Sequence, residues 1–136
     1  MELNIRRLQD DDWETLCSWW EAWPKWVNPP KDFLPDGGTG GLMVYKRNTP
    51  IVAGFIYYTN SKGALLEWIV SNPDYREADR KEALELLIKA AENVCKANGV
   101  KYMFSIGRSK PLIEMHRKLD WTIDESPSYE ITKKIN

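Results

Sequence analysis

Three cations, Arg76, Arg80 and Lys81, crowd the junction between a short polar stretch, SNPDYREADR, which follows an apolar run, LLEWIV, and a long amphipathic run, KEALELLIKAAENVCKANG. A strand that feeds a helix through a tight turn aims several backbone N–H groups at one point, and the helix dipole adds partial positive charge there. Such a turn is a seat for phosphate. Cations at a helix N-terminus are unfavourable for the dipole alone; a bound anion accounts for them, and so does a solvated charged face. Asp79 pulls the other way. Its carboxylate repels phosphate, and Asp79 with Glu82 has capping-box spacing, which would put side chains on the N–H groups a ligand needs. A further alternative starts the helix at Asn72 with Pro73 in its first position, which leaves no cradle.

Glu67 is the one charged residue inside LLEWIV. Strand alternation places it on the face of Leu65 and Ile69. Burial raises a carboxylate's affinity for protons, which suits a general base acting through water. The plain alternative is a side chain turned to solvent or paired with a lysine on an adjacent strand. A single His and two distant cysteines match no zinc spacing, so no metal is expected. Cys17 and Cys95 both fall in helical patterns with apolar neighbours and read as buried free thiols of a reducing cytoplasm.

The elements that must position these residues follow from pattern and punctuation. Leu3, Ile5 and Leu8 mark a first strand; Asp10 to Asp12 offer N-caps for a helix over 11–22 that carries Leu16, Trp19 and Trp20 and stops at Pro24. Residues 24–41 are irregular, with four prolines and the GGTGG run. Strands over 41–47, 50–60 and 64–71 form a meander. A helix over 80–98 has a wide apolar stripe ended by Gly99. A strand over 101–107, a helix over 110–119 and an antiparallel pair over 121–125 and 128–135 complete the chain. The long helix is a right-handed crossover that makes its flanking strands parallel. The fold class is thus α+β: a mixed, mostly antiparallel sheet of about six to seven strands between helices, in one domain over 1–136.

The 136 residues suit a single core, and 43% hydrophobic with 29% charged residues is an ordinary globular composition. The net charge of −1 supplies no field for nucleic acid or an anionic membrane, and no apolar run reaches a membrane span.

This order of elements resembles the GNAT superfamily of acetyl-CoA-dependent N-acetyltransferases over essentially the whole chain. The resemblance rests on the opening IRRLQDDDWETL, on IVSNPDYR leading into the long helix, and on IEMHRKLDW before the final strands. The family's V-x-x-P-x-Y-R is matched at Asn72 to Arg76. Its glycine-rich R-x-x-G-x-G/A is not, because Asp79 and Lys81 stand at the glycine positions. Near the end His116, Asp120 and Trp121 replace the usual Tyr, Gly and Phe. Phage-encoded GNAT-like proteins of similar length share such eroded glycines.

The resemblance implies acetyl transfer from acetyl-CoA, as co-substrate, to an amine of a small molecule or protein. Backbone N–H groups of Ile69, Val70 and Ser71 would polarise the thioester carbonyl. Arg76, Glu77, Ala78, Asp79, Arg80 and Lys81 would cradle the pyrophosphate, and Ser105 and Ser109 would meet the pantetheine arm or the sulfur. Glu67 would be the base. His116 would protonate the departing thiolate, unless it is a half-exposed helix-surface residue; Tyr57, Tyr58 and Tyr75 are alternative donors. Trp23 and Trp26 would line an acceptor pocket, whereas the helical tryptophans also read as core. The rival reading is a non-catalytic GNAT-like module that binds a protein partner through the cleft or the Trp-rich loop. A homodimer is compatible with either; nucleic acid and membrane are not expected partners.

Overall fold

The structure, a computed structural model, describes residues 2–24, 27–126 and 128–135. These fall into two compact units, one ending at Ile106 and the other beginning at Gly107. The first holds β1 (Asn4–Arg7), α1 (Trp13–Ala22), β2 (Gly41–Lys46), β3 (Thr49–Tyr58), β4 (Gly63–Ser71), α2 (Arg80–Ala97) and β5 (Tyr102–Phe104). The second holds α3 (Lys110–Lys118).

The sheet follows chain order, β1-β2-β3-β4-β5. All neighbours are antiparallel except β4 and β5, which flank α2 and run parallel, as the crossover requires. The two helices of this unit cover opposite faces. Leu16, Trp19 and Trp20 of α1 pack with Met43, Ala53, Phe55 and Val70. A Cβ added to Gly54, the residue before Phe55, would lie 3.3 Å from Leu87 Cδ2 of α2. Adjacent strand residues point to opposite faces, so α2 takes the other side. Its Ala83, Leu87, Ala91 and Cys95 recur every fourth residue and are buried, with Ile88 beside them.

The fold class agrees with the sequence reading, but the sheet has five strands. Residues 121–125 and 128–135 form no regular element among the described residues. Tyr129, Ile131 and Ile135 stand exposed. A two-stranded hairpin is marginal in water without a third strand or a covering helix, so alternation alone does not hold this segment. The strand expected over 101–107 is also shorter, at three residues.

The aspartates before α1 act differently from the expected caps. Asp12 makes no cap bond to α1. Its carboxylate instead accepts the Gln9 N–H at 2.8 Å and both ends of the Arg6 guanidinium at 2.8 and 2.9 Å. Cys95 is buried and Cys17 half-buried; both are free, and burial pushes both thiols up. No helix among the described residues is long and apolar enough to cross a membrane.

Candidate functional site

β4 holds the features from which the site is built. Among the described residues its ladder with β5 runs from Gly63 to Leu65 and stops there, while β4 continues to Ser71. Its other edge is irregular. Ala53 faces Val70 and Phe55 faces Glu67, leaving Gly54 alone opposite Trp68 and Ile69. This is a β-bulge, and Trp68 takes φ +56, a left-handed backbone that bulky residues rarely adopt.

The bulge corrects the expected face of Glu67. Leu66 and Ile69 both lie against Gly54 on the α2 side: an added Cβ would sit 3.3 Å from Leu66 Cδ1 and 3.2 Å from Ile69 Cγ1. Glu67, opposite Phe55, therefore shares the α1 face with Leu65 but not with Ile69. Trp68 follows it onto that face and meets Trp20 and Phe33 edge-on. Glu67 is half-buried, and one of its carboxylate oxygens, Oε1, is buried. Tyr57 lies close by. Burial pushes its phenol up to about 12, with the charge of Glu67 adding and a hydrogen bond with Trp68 opposing. The Tyr57 hydroxyl donates to the Phe33 carbonyl at 3.1 Å.

Beyond Ser71 the chain is pinned and then turned. The Asn72 amide donates to the Pro50 carbonyl at 2.9 Å, and its side-chain oxygen accepts the Asp74 N–H at 2.9 Å. The helix starts at Arg80, not at Asn72, so the turn exists. Asp79 stands at the N-cap position, yet its carboxylate makes no cap bond. It accepts the Lys46 ammonium at 2.9 Å and the Tyr75 hydroxyl at 2.6 Å instead. The Tyr75 bond, then the Lys46 bond, hold the Asp79 carboxyl below its ordinary range. The same Asp79 contact, then burial, push the Tyr75 phenol up to about 12. The expected capping box with Glu82 is thus not formed. Among the described residues no side chain accepts the N–H of Lys81 or Glu82.

Backbone geometry shows what the missing glycines change. Asp79 has φ −86 and Lys81 lies in the helix, so neither position needs glycine's freedom. Only the closeness of backbone approach is lost there. Asp120 is the opposite case: it follows α3 with φ +69, the left-handed conformation that favours glycine and that aspartate tolerates. Arg76, Glu77, Ala78, Arg80 and Lys81 are all exposed around the turn, and no ion pair among the described residues engages the three cations.

The other candidates are placed as follows. Trp23 is half-buried against the core, and its indole Nε1 donates to the Ser71 carbonyl at 3.0 Å, tying the end of α1 to the end of β4. Trp26 lies outside the described residues. Trp19 and Trp20 are core. Tyr58 faces solvent and accepts from Asn98 at 3.3 Å. Ser105 is half-buried just past β5, and its Oγ has no hydrogen-bond partner among the described residues. In the second unit Ser109 is the N-cap of α3, its Oγ accepting the Leu112 N–H at 3.4 Å, so it serves the helix. His116 is 4% exposed, which overturns the half-exposed reading. Its Nδ1 donates to the Leu112 carbonyl at 2.8 Å, its ring packs edge-on against Trp121, and its buried Nε2 has no partner among the described residues. Among the described residues no group of three or more His, Cys, Asp or Glu could hold a metal ion. Sequence reasoning missed Lys46 and the bulge. Nothing in the sequence joins Lys46 to Asp79, and a positive φ at tryptophan has no local signature.

No family profile matches the chain, and no curated protein matches it in sequence. Solved structures do share its fold. The ribosomal-protein-S18-alanine N-acetyltransferase of Escherichia coli matches with a TM-score of 0.69 at 15% identity, over 87% of this chain and 76% of that one. AAC(6')-Iy, solved with the bisubstrate analogue CoA-S-monomethyl-acetylneamine, matches at 0.65 and 19% identity over 98% and 100%. The diaminobutyrate acetyltransferase EctA of Paenibacillus lautus, solved with L-2,4-diaminobutyric acid and coenzyme A, matches at 0.65 and 12% over 88% and 74%. The fold is therefore GNAT-like.

Proposed function

We propose that the chain is a GNAT-superfamily N-acetyltransferase that transfers acetyl from acetyl-CoA to an amine of a small molecule or protein. One observation carries the reading: β4, continuing past the end of its ladder with β5 at Leu65, runs into a helix start whose own aspartate is turned away from the first-turn N–H groups. The same fold occurs in proteins solved with coenzyme A or its conjugates. When bound, acetyl-CoA supplies an acyl carbon activated as a thioester.

The residues of the first unit divide the work. The N–H groups of Lys81 and Glu82, with the side chains of Arg76, Arg80 and Lys81, bind the pyrophosphate; N–H donors and cations there satisfy an anion twice over. Backbone N–H groups along Ile69, Val70 and Ser71 face developing negative charge on the carbonyl oxygen. Glu67, with one carboxylate oxygen buried, takes the proton of the acceptor ammonium, directly or through one water. The Trp23 indole bond to Ser71 holds the end of β4 in register with the turn.

A thermal-shift titration tests this. Acetyl-CoA at about 100 times its Kd stabilises the folded chain by about 2.7 kcal/mol, read as a rise in Tm, and Arg76→Glu removes the rise. No rise at millimolar cofactor would refute the proposal.

A further inference from the structure

The contacts of Asp79 point to a second layer in the cofactor site. An aspartate at an N-cap normally turns its carboxylate onto the N–H groups of the next two or three residues. Here the geometry is reversed. Lys46, at the end of β2, reaches the Oδ2 of Asp79 at 2.9 Å, and Tyr75 reaches Oδ1 at 2.6 Å. Both carboxylate oxygens are therefore occupied from outside the helix. The pairs are shielded: Tyr75 is buried, and the side chains of Lys46 and Asp79 are 26% and 18% exposed. Such contacts survive salt better than surface ion pairs.

We infer that Lys46 and Tyr75 are positioning residues that draw the Asp79 carboxylate off the first turn of α2, so that a turn without glycines still offers the Lys81 and Glu82 N–H groups to pyrophosphate. The inference rests on the cofactor reading above for its purpose, but the position of the carboxylate is testable without cofactor. Lys46 also sets its positive charge against the carboxylate charge that would repel an incoming phosphate. In this chain the task of a glycine, keeping the helix start clear, is shared between a strand-end lysine and a turn tyrosine.

The first test is hydrogen exchange on the free protein. In the wild type the amides of Lys81 and Glu82 exchange as uncapped first-turn amides. In Lys46→Met with Tyr75→Phe, which frees both carboxylate oxygens, the carboxylate caps them and slows exchange about fivefold. Amides already protected in the wild type, or unchanged in the variant, would overturn the inference whatever the cofactor does. The second test is calorimetry with coenzyme A. Lys46→Met weakens binding about tenfold, Tyr75→Phe by about twofold to threefold, and Lys46→Met with Asp79→Gly restores it, because the competing carboxylate is gone. A double variant as weak as Lys46→Met would mean that Lys46 acts by its own charge or by holding the fold, and would overturn the inference. A wild type that fails to bind coenzyme A counts against the acetyltransferase reading, while the exchange result still decides the position of Asp79.

Discussion

Replacing Trp68 by alanine and, separately, by glycine isolates the bulge that gives Glu67 its face. Both variants lose the indole contacts with Trp20 and Phe33, at centroid separations of 5.9 and 6.1 Å, so that loss cancels in the comparison. What remains is the backbone. A left-handed conformation costs a non-glycine residue about 1–2 kcal/mol, and Trp68 has φ +56. Against this, glycine in a strand is worse than alanine by about 0.5–1 kcal/mol through chain entropy. The difference leaves the glycine variant more stable by about 0.5–1 kcal/mol. In an ordinary extended strand the sign is reversed. Urea unfolding of the two variants, compared at a shared slope, measures it. An alanine variant more stable than the glycine variant would refute the bulge and return Glu67 and Ile69 to one face.

Further outcomes follow from the same geometry. Glu67→Gln lowers the acetyl-transfer kcat about 100-fold or more while leaving coenzyme affinity unchanged, measured by steady-state kinetics and calorimetry; an equal loss in both would remove Glu67 as base. Burial raises the Asp12 carboxyl, but the Arg6 bonds and the Gln9 N–H outweigh it, so it lies below its ordinary 3.8 in the folded chain. Its stabilisation is therefore present above that value and lost as pH falls through the folded one, and Asp12→Asn flattens the acid limb of urea midpoint against pH. Asp120→Gly, at φ +69, raises stability by about 0.5–1 kcal/mol in the same unfolding assay, and a loss would contradict the left-handed assignment.

The parts of this molecule that were legible in its sequence are those set by local pattern. Leu84, Leu87, Ile88, Ala91 and Cys95 announce α2 by their spacing, and the crossover rule then makes β4 and β5 parallel without further information. The turn before α2 was legible as a turn because Asn72 and Pro73 punctuate it. What it presents was not. Asp79 and Glu82 carry capping-box spacing, but the Asp79 carboxylate is taken instead by Lys46, arriving from another strand, and by Tyr75. Glu67 was visible as an odd charge in an apolar strand, but its face depends on a bulge opposite Gly54 that alternation does not encode. The tail failed for a related reason: Tyr129 and Ile131 have strand spacing, and spacing does not supply a partner edge.

Backbone amide NMR during titration with acetyl-CoA tests the cofactor site most directly. The largest shifts are expected on two stretches, the Ile69, Val70 and Ser71 amides and the Lys81 and Glu82 amides, and they saturate together. Saturating cofactor that leaves both stretches unmoved, or that shifts residues elsewhere in the sheet alone, would contradict it.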